Sequence, residues 1–386
     1  MLYDWLIVGA GYTGSILAER IASQLEQTVL LIDRREHIGG NAYDYYDEHG
    51  ILVHKYGAHL FHTNSEDVFR YLSSFTSWDA YQHEVRAYVN GVCIPVPFNL
   101  NSLHALFPGD YAKRLANKLI SKYGLNTNIP ILKLLKEEND PEIKSLADFI
   151  FENVFYNYTV KQWGLLPEQL SAGVLSRVPV CIGHDNRYFR DIYQVLPSQG
   201  YTAMFHRMLD NPRIEVALNN DYRKISSDIE FRRLIYTGPV DEYFDFIYGK
   251  LPYRSLRFDH QHYDCDDFQH HAVINYPNDH AYTRILEFKH MSRQPISGTS
   301  IVYEYPQAHV HGITEPYYPI PREENACIYE RYASEIRKLR GKVYFAGRLA
   351  DYRYYNMDQA ASRALSLFKN QILQVRAGLA VQSDSF

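Results

Sequence analysis

Cysteine is scarce in this chain. Its four residues, Cys93, Cys181, Cys265 and Cys327, are scattered over 386 positions with no CxxC pair and no metal-ligand spacing. Neither a disulfide framework nor a zinc site is expected, and a reducing compartment suits such usage. Long hydrophobic runs are also missing: no stretch approaches the roughly eighteen apolar residues of a spanning helix, and the N-terminus runs straight into a strand pattern without a signal-type segment. The expectation is a cytoplasmic protein with no membrane association. Nor does one sign of charge dominate, since 40 Lys and Arg against 45 Asp and Glu leave a net charge of −5. No basic field points to nucleic acid, so an anionic substrate must be held by local arginines. Repeats and low-complexity tracts are lacking too, and only the stretch from 377 onward reads as disordered.

Tyrosine is abundant, with 34 copies. A flat apolar face with a hydroxyl suits oxygen-rich ligands such as a sugar nucleotide, although strands also favour Tyr as their aromatic. Glycine, at 21 copies, is concentrated where it carries most information. The apolar run Leu6, Ile7, Val8 reads as a buried parallel strand and ends in Gly9, Gly11 and Gly14 at GxGxxG spacing. Gly9 permits a tight turn, Gly11 removes the Cβ that a pyrophosphate would meet, and Gly14 lets the next helix approach the sheet. That helix, predicted over 13–24, points its N-terminal amides at the anion. A second strand over 28–32 ends in Asp33, about 20 residues past the glycines, where a carboxylate accepts from adenosine ribose hydroxyls. The plainer alternative is a glycine-rich turn in an ordinary α/β domain.

The segment RREHIGGNAYD separates FAD from NAD. Arg34 or Arg35, with Gly39, Gly40 and Asn41, extends the site because glycines let backbone amides approach a cofactor; a surface β-turn is the alternative. The segment resembles the second FAD fingerprint of amine oxidase-like and glutathione reductase-like flavoproteins. Between 99 and 177, apolar residues three and four apart predict helices, punctuated by Pro108, Pro130, Pro141 and Pro167. From about 180, short alternating segments such as RSLRFDHQHY, HAVINY, AYTRILEF and SIVYEYP predict antiparallel strands. At the end, GKVYFAGRLADYRYYNMDQAASRALSLFKNQI reads as strand, turn and long helix closing the cofactor site.

Along nearly its whole length the chain resembles the bacterial UDP-galactopyranose mutases. The resemblance is carried by GAGYTG, HIGGNAYD, HKYGAHLFHT, NYTVKQWG, LPSQGYTAMF, IYTGPVDEYFDF, YGKLPYRSL, AYTRILEFKH, EPYYPI and GRLADYRYYNMD, in order and spacing. It implies an α/β fold: a Rossmann-like FAD domain, an inserted helical bundle and a twisted antiparallel sheet domain. The expected boundaries are 1–78, 196–242 and 335–386 for FAD, 99–178 for the bundle, and 79–98, 179–195 and 243–334 for the sheet. The implied activity is interconversion of UDP-galactopyranose and UDP-galactofuranose, which supplies furanose units for surface polysaccharide. It passes through a sugar adduct at N5 of reduced FAD and has no net redox change. An external reductant such as NAD(P)H or a reductase, and a homodimer, are implied as well.

The same resemblance assigns residues. Arg284, Tyr318 and Tyr354 would hold the substrate diphosphate, while Phe155, Tyr158, Thr159 and Trp163 would bind the nucleotide, with Arg177 and Tyr188 beside them. Arg348, His59 and His62 would lie against the flavin, with Arg284, His62 and Arg348 closest to the chemistry. Asp358, at the start of the last helix, would touch the cofactor or simply cap that helix. One departure stands out: the family's mobile loop usually carries an arginine where this chain reads PVCIG with Cys181, and Arg177 or Arg187 would have to compensate. The open alternatives are a mutase for another nucleotide sugar such as dTDP-6-deoxygalactose, an amine oxidase-like oxidoreductase, or a flavin-binding protein without catalysis.

Overall fold

The computed structural model describes residues 2–176 and 178–376. Arg177 and the tail from 377 lie outside the described residues. The strand Leu2–Val8 sits at the centre of a five-stranded parallel sheet. Spatially the order is Ile214–Ala217, Val29–Ile32, Leu2–Val8, Glu230–Tyr236, Val343–Phe345. The central strands are packed on both faces, which is why Val29–Ile32 and the ends of Leu2–Val8 and Glu230–Tyr236 read as apolar runs. Alternate residues feed different cores: Trp5, Ile7, Val29, Leu31 and Ile235 join the main cluster, whereas Leu6, Leu30, Ile32 and Leu234 form a second cluster behind it.

The helix Tyr12–Arg20 starts at Gly11 with no side-chain cap, so its first-turn amides are left for a ligand. A Cβ on Gly14 would lie 1.8 Å from the Gly9 carbonyl oxygen, so only glycine lets this helix pack at that depth. On the same face the helices Gly200–Leu209 and Met357–Leu367 complete the layer. Asp44 fixes the first of these by accepting from the amides of Tyr201 (2.6 Å) and Thr202 (2.8 Å).

The helical insert comprises Leu100–Leu106, Gly109–Tyr123 and Pro141–Ile150, the last running through wider turns into Asn157–Trp163. Asn99 caps the first, and Asp140 caps the third with Pro141 at its first position. The insert also contains Thr127–Ile129, which pairs antiparallel with Val180–Ile182 and sets Cys181 opposite Asn128. That ribbon was not expected, because three-residue strands carry no readable periodicity.

A seven-stranded sheet runs in the order Tyr318–Pro319, Tyr253–Tyr263, Thr299–Ala308, Arg284–Glu287, Val273–Asn275, Val85–Val89, Val92–Val96. One pair departs from the antiparallel expectation: Val273–Asn275 runs parallel to Val85–Val89. The chain between these two strands includes the whole helical insert, long enough for the crossover that parallel pairing needs. A separate small sheet joins Phe61–Thr63, Tyr193–Pro197 and Trp78–Ala80. The boundaries drawn after 78 and 195 cut through two of its strands, and those after 242 and 334 fall inside the helices Val240–Tyr243 and Glu323–Lys338. The sequence pattern alone does not show that these elements are shared between layers.

Candidate functional site

Two glycine loops meet backbone to backbone at the carboxyl end of the parallel sheet. Gly9 has φ +102°, and a Cβ there would lie 2.1 Å from Thr237 Oγ1. Gly40 has φ +58°, and its Cβ would lie 2.9 Å from Gly11 Cα. The cradle so formed is lined by Gly9, Gly11, Asp33, Arg34, Gly40, Asn41, Thr237, Gly347 and Arg348. It lies at the strand ends beside an uncapped helix N-terminus, the arrangement that receives a dinucleotide pyrophosphate. Asp33 is held at the rim: Oδ2 accepts from the amide of Ala10 (2.8 Å) and Oδ1 from that of Arg35 (2.9 Å). Arg34 and Arg35 both donate to Glu315 Oε2, at 2.9 and 2.8 Å. Burial would raise the Glu315 carboxyl, but the guanidiniums of Arg35 and Arg34 hold it at about 2.

At its far end the cradle opens into a chamber of about 520 Å³. Asn41, His59, Tyr317, Arg348, Asn356 and Met357 line both spaces. Burial, aided by His54, pushes His59 down to about 3, so its ring is neutral, and Nδ1 lies 2.9 Å from the Gly57 carbonyl. Arg348 donates to the carbonyls of Tyr355 (2.6 Å) and Tyr317 (3.4 Å), and its guanidinium lies 5.1 Å from the Tyr354 ring centroid. An isoalloxazine bound with its pyrophosphate on the glycines would therefore end between a neutral imidazole and a fixed cation.

Three structural layers supply the chamber wall. Phe155, Tyr158, Thr159 and Trp163 come from the insert, Arg284 and Glu304 from adjacent strands of the large sheet, and Tyr188, Tyr318 and Tyr354 from loops and its edge. Arg284 donates from Nη2 to Tyr158 Oη at 2.7 Å, and its Nε lies 3.3 Å from Glu304 Oε1. Burial is the largest influence on Arg284 and opposes its charge, yet Glu304 together with Tyr158, Tyr318 and Tyr188 outweighs it and keeps the guanidinium cationic. Tyr318 stacks on Tyr354 at 5.4 Å, and Trp163 meets Tyr318 at 6.2 Å. Three buried polar atoms on this wall have no hydrogen-bond partner among the described residues: His83 Nδ1, Gln162 Oε1 and Asn275 Oδ1. Buried polar atoms are rarely left in that state, and a polar ligand would satisfy them.

The arrangement is matched in known proteins. The family model for UDP-galactopyranose mutase matches residues 153–354, and that for the NAD(P)-binding Rossmann-like domain matches 7–75. A Klebsiella pneumoniae protein named "Probable UDP-galactopyranose mutase" is 35% identical, covering 93% of this chain and 92% of its own. The chain belongs to the UDP-galactopyranose mutase family. The dTDP-fucopyranose mutase of Escherichia coli is 32% identical over 93% of this chain and 96% of its own. A crystal structure of reduced UDP-galactopyranose mutase superposes with TM-score 0.74 at 17% identity, covering 97% and 94% of the two chains. The glycine cradle of this mutase-family chain fits FAD: the paired glycine loops would hold the pyrophosphate, and the residues shared with the chamber would border the flavin.

Within the mutase framework most residues singled out from sequence do face the two spaces, with three corrections. Asp358 lines neither space. Its Oδ2 accepts from Thr63 Oγ1 at 3.1 Å, and the helix cap is Asn356, whose amide donates to Gln359 Oε1. Cys181 lies on a strand, 3% exposed, with its amide donating to the Phe98 carbonyl at 2.7 Å, and it does not line the chamber. Arg187 is engaged by Asp185, through Nη2 at 2.8 Å and Nε at 3.0 Å, so it offers no replacement cation to the chamber. Sequence reasoning missed His83, Gln162, Asn275 and Glu304. A signal existed for Glu304 alone: an acid inside the apolar strand pattern SIVYEYP, which pairs in register with Arg284.

Proposed function

We propose that this chain is a flavin-dependent isomerase that interconverts UDP-galactopyranose and UDP-galactofuranose. The observation that carries the reading is the cationic, carboxylate-backed Arg284 in a tyrosine-lined chamber that opens directly onto the dinucleotide cradle. A guanidinium offers a diphosphate two parallel charge-assisted bonds. In this reading Arg284, Tyr318, Tyr354 and Tyr188 hold the diphosphate, and Tyr158, Phe155, Thr159 and Trp163 receive the nucleoside. Arg348, His59 and His62 border the sugar and the flavin. Reduced FAD, when bound, would supply the nucleophilic nitrogen. The protein's own residues hold the leaving diphosphate in place, keep water from the sugar and leave the departed nucleotide positioned to return. An external reductant, a homodimer, a cytoplasmic location and a role in supplying galactofuranose for surface polysaccharide complete the proposal.

A second reading has its own support. The Escherichia coli relative named as a dTDP-fucopyranose mutase is almost as similar as the Klebsiella protein, at 32% against 35%. A dTDP-fucose differs from a UDP-galactose at the nucleobase, at the ribose 2′ position and at the sugar's sixth carbon. Dithionite-reduced protein offered UDP-galactofuranose and dTDP-6-deoxygalactofuranose separately distinguishes the two. Our reading expects kcat/KM at least tenfold higher for the UDP sugar, and the reverse ratio would transfer the proposal to the dTDP sugar.

A further inference from the structure

The short strand Phe61–Thr63 contributes His62 to the chamber wall and pairs with Tyr193–Pro197 so that His62 stands opposite Gln194. The residues just before that second strand fold back over the imidazole. Phe189 stacks on it with centroids 3.6 Å apart and 14° between the planes. Asp191 Oδ2 lies 2.9 Å from Nδ1. An ionised carboxylate can only accept, so the hydrogen in that contact belongs to Nδ1. No described protein group hydrogen-bonds Nε2, on the other side of the ring.

Asp191 is itself secured. Its Oδ1 accepts from Asn64 Nδ2 at 2.7 Å, and its carbonyl accepts from Gln194 Nε2 at 2.9 Å. Asn64 Oδ1 in turn accepts from the amide of Ile192 at 2.9 Å. The pair is shielded, with side-chain exposures of 13% for His62 and 23% for Asp191. A ring clamped by stacking on its face and by a carboxylate at its edge has one orientation and one tautomer.

We propose that Asp191 is a positioning residue for the reaction, fixing His62 as the Nδ1–H tautomer so that Nε2 presents a lone pair to a sugar hydroxyl. This rests on the isomerase reading above. Exchange of a six-membered for a five-membered sugar ring requires one hydroxyl oxygen to lose a proton and the former ring oxygen to gain one. The bond from the anomeric carbon to the old ring oxygen breaks and one to the hydroxyl oxygen forms; Nε2 takes the proton from that hydroxyl and delivers it to the departing ring oxygen, so no proton is gained or lost overall. The Asp191 carboxylate stabilises the imidazolium that exists between the two transfers.

Asp191→Asn tests this. The amide oxygen stays with Asn64 Nδ2, which turns the NH2 group toward His62 and reverses the polarity of that bond. We expect kcat on UDP-galactofuranose to fall at least tenfold while KM changes less than threefold and FAD content is unchanged, with Asp191→Glu recovering part of the loss. In a long-range ¹H–¹⁵N spectrum, the resonances lost in His62→Gln should report Nδ1–H in the wild type and Nε2–H in Asp191→Asn. Wild-type kcat in Asp191→Asn, a loss confined to thermal stability, or an Nε2–H tautomer in the wild type would overturn the proposal. A wild type inactive on UDP and dTDP sugars would instead defeat the isomerase reading, and the spectrum would still judge the tautomer.

Discussion

In the proposed reaction Arg284 is the residue on which substrate binding would turn, because its charge is supported in a buried wall by Glu304 and its fork is steered by Tyr158. Removing a charge-assisted bond costs about 1.5–3 kcal/mol, so Arg284→Ala should lower kcat/KM by roughly ten- to a hundredfold or more. Arg284→Lys should recover little of this, since an ammonium cannot reproduce the planar fork. Steady-state kinetics on the reduced protein checks both. At Cys181 the structure changes what is expected of a substitution. An arginine at that position would seem to restore a diphosphate contact, but Cys181 is 3% exposed and sits in a paired strand. Cys181→Arg should therefore lower the melting temperature, since a buried unpaired guanidinium costs several kcal/mol, and bring no decrease in KM. The glycines were legible as individual residues because their role is steric. Gly9, Gly14 and Gly40 occupy places where a Cβ would meet atoms 1.8–2.9 Å away. The partners of Asp33 were not legible, since the amides of Ala10 and Arg35 that it accepts from depend on how the loop folds back.

Among elements, the segment that follows the strand Thr299–Ala308 lies along the cradle and is tied there by Glu315 to Arg34 and Arg35. The folded Glu315 carboxyl is depressed from 4.5 to about 2. Its contribution is thus fully present above about pH 4.5 and is lost as pH falls from there toward 2. Glu315→Gln should release FAD faster at neutral pH, and it should remove the part of the acid dependence of release that falls in this window. Flavin fluorescence on stopped-flow dilution checks both, and identical release curves for the two proteins would contradict this role. The element pattern explains what the sequence could and could not reveal. Asn99, Asp140 and Pro141 mark helix starts by local chemistry, so the insert was readable. The ribbon of Thr127–Ile129 with Val180–Ile182, the parallel pairing of Val273–Asn275 and the strands at 78–80 and 193–197 are set by long-range partners. None of these leaves a periodic trace in three to five residues.

For the whole molecule, function depends on the meeting of two spaces: a cradle built by the parallel sheet and a chamber walled by the insert and the large sheet. His59 and Arg348 stand where they join. The wall residues missed from sequence, His83, Gln162, Asn275 and Glu304, gain meaning only when distant segments converge, as Glu304 does on Arg284. The most direct test is anaerobic incubation of the FAD-loaded protein with UDP-galactofuranose, in the oxidised state and after dithionite reduction, with UDP-galactopyranose followed by chromatography. Conversion by the reduced protein and none by the oxidised one is the expected result. Equal conversion in both states, or substrate-driven reduction of the oxidised flavin with formation of an oxidised sugar, would contradict it.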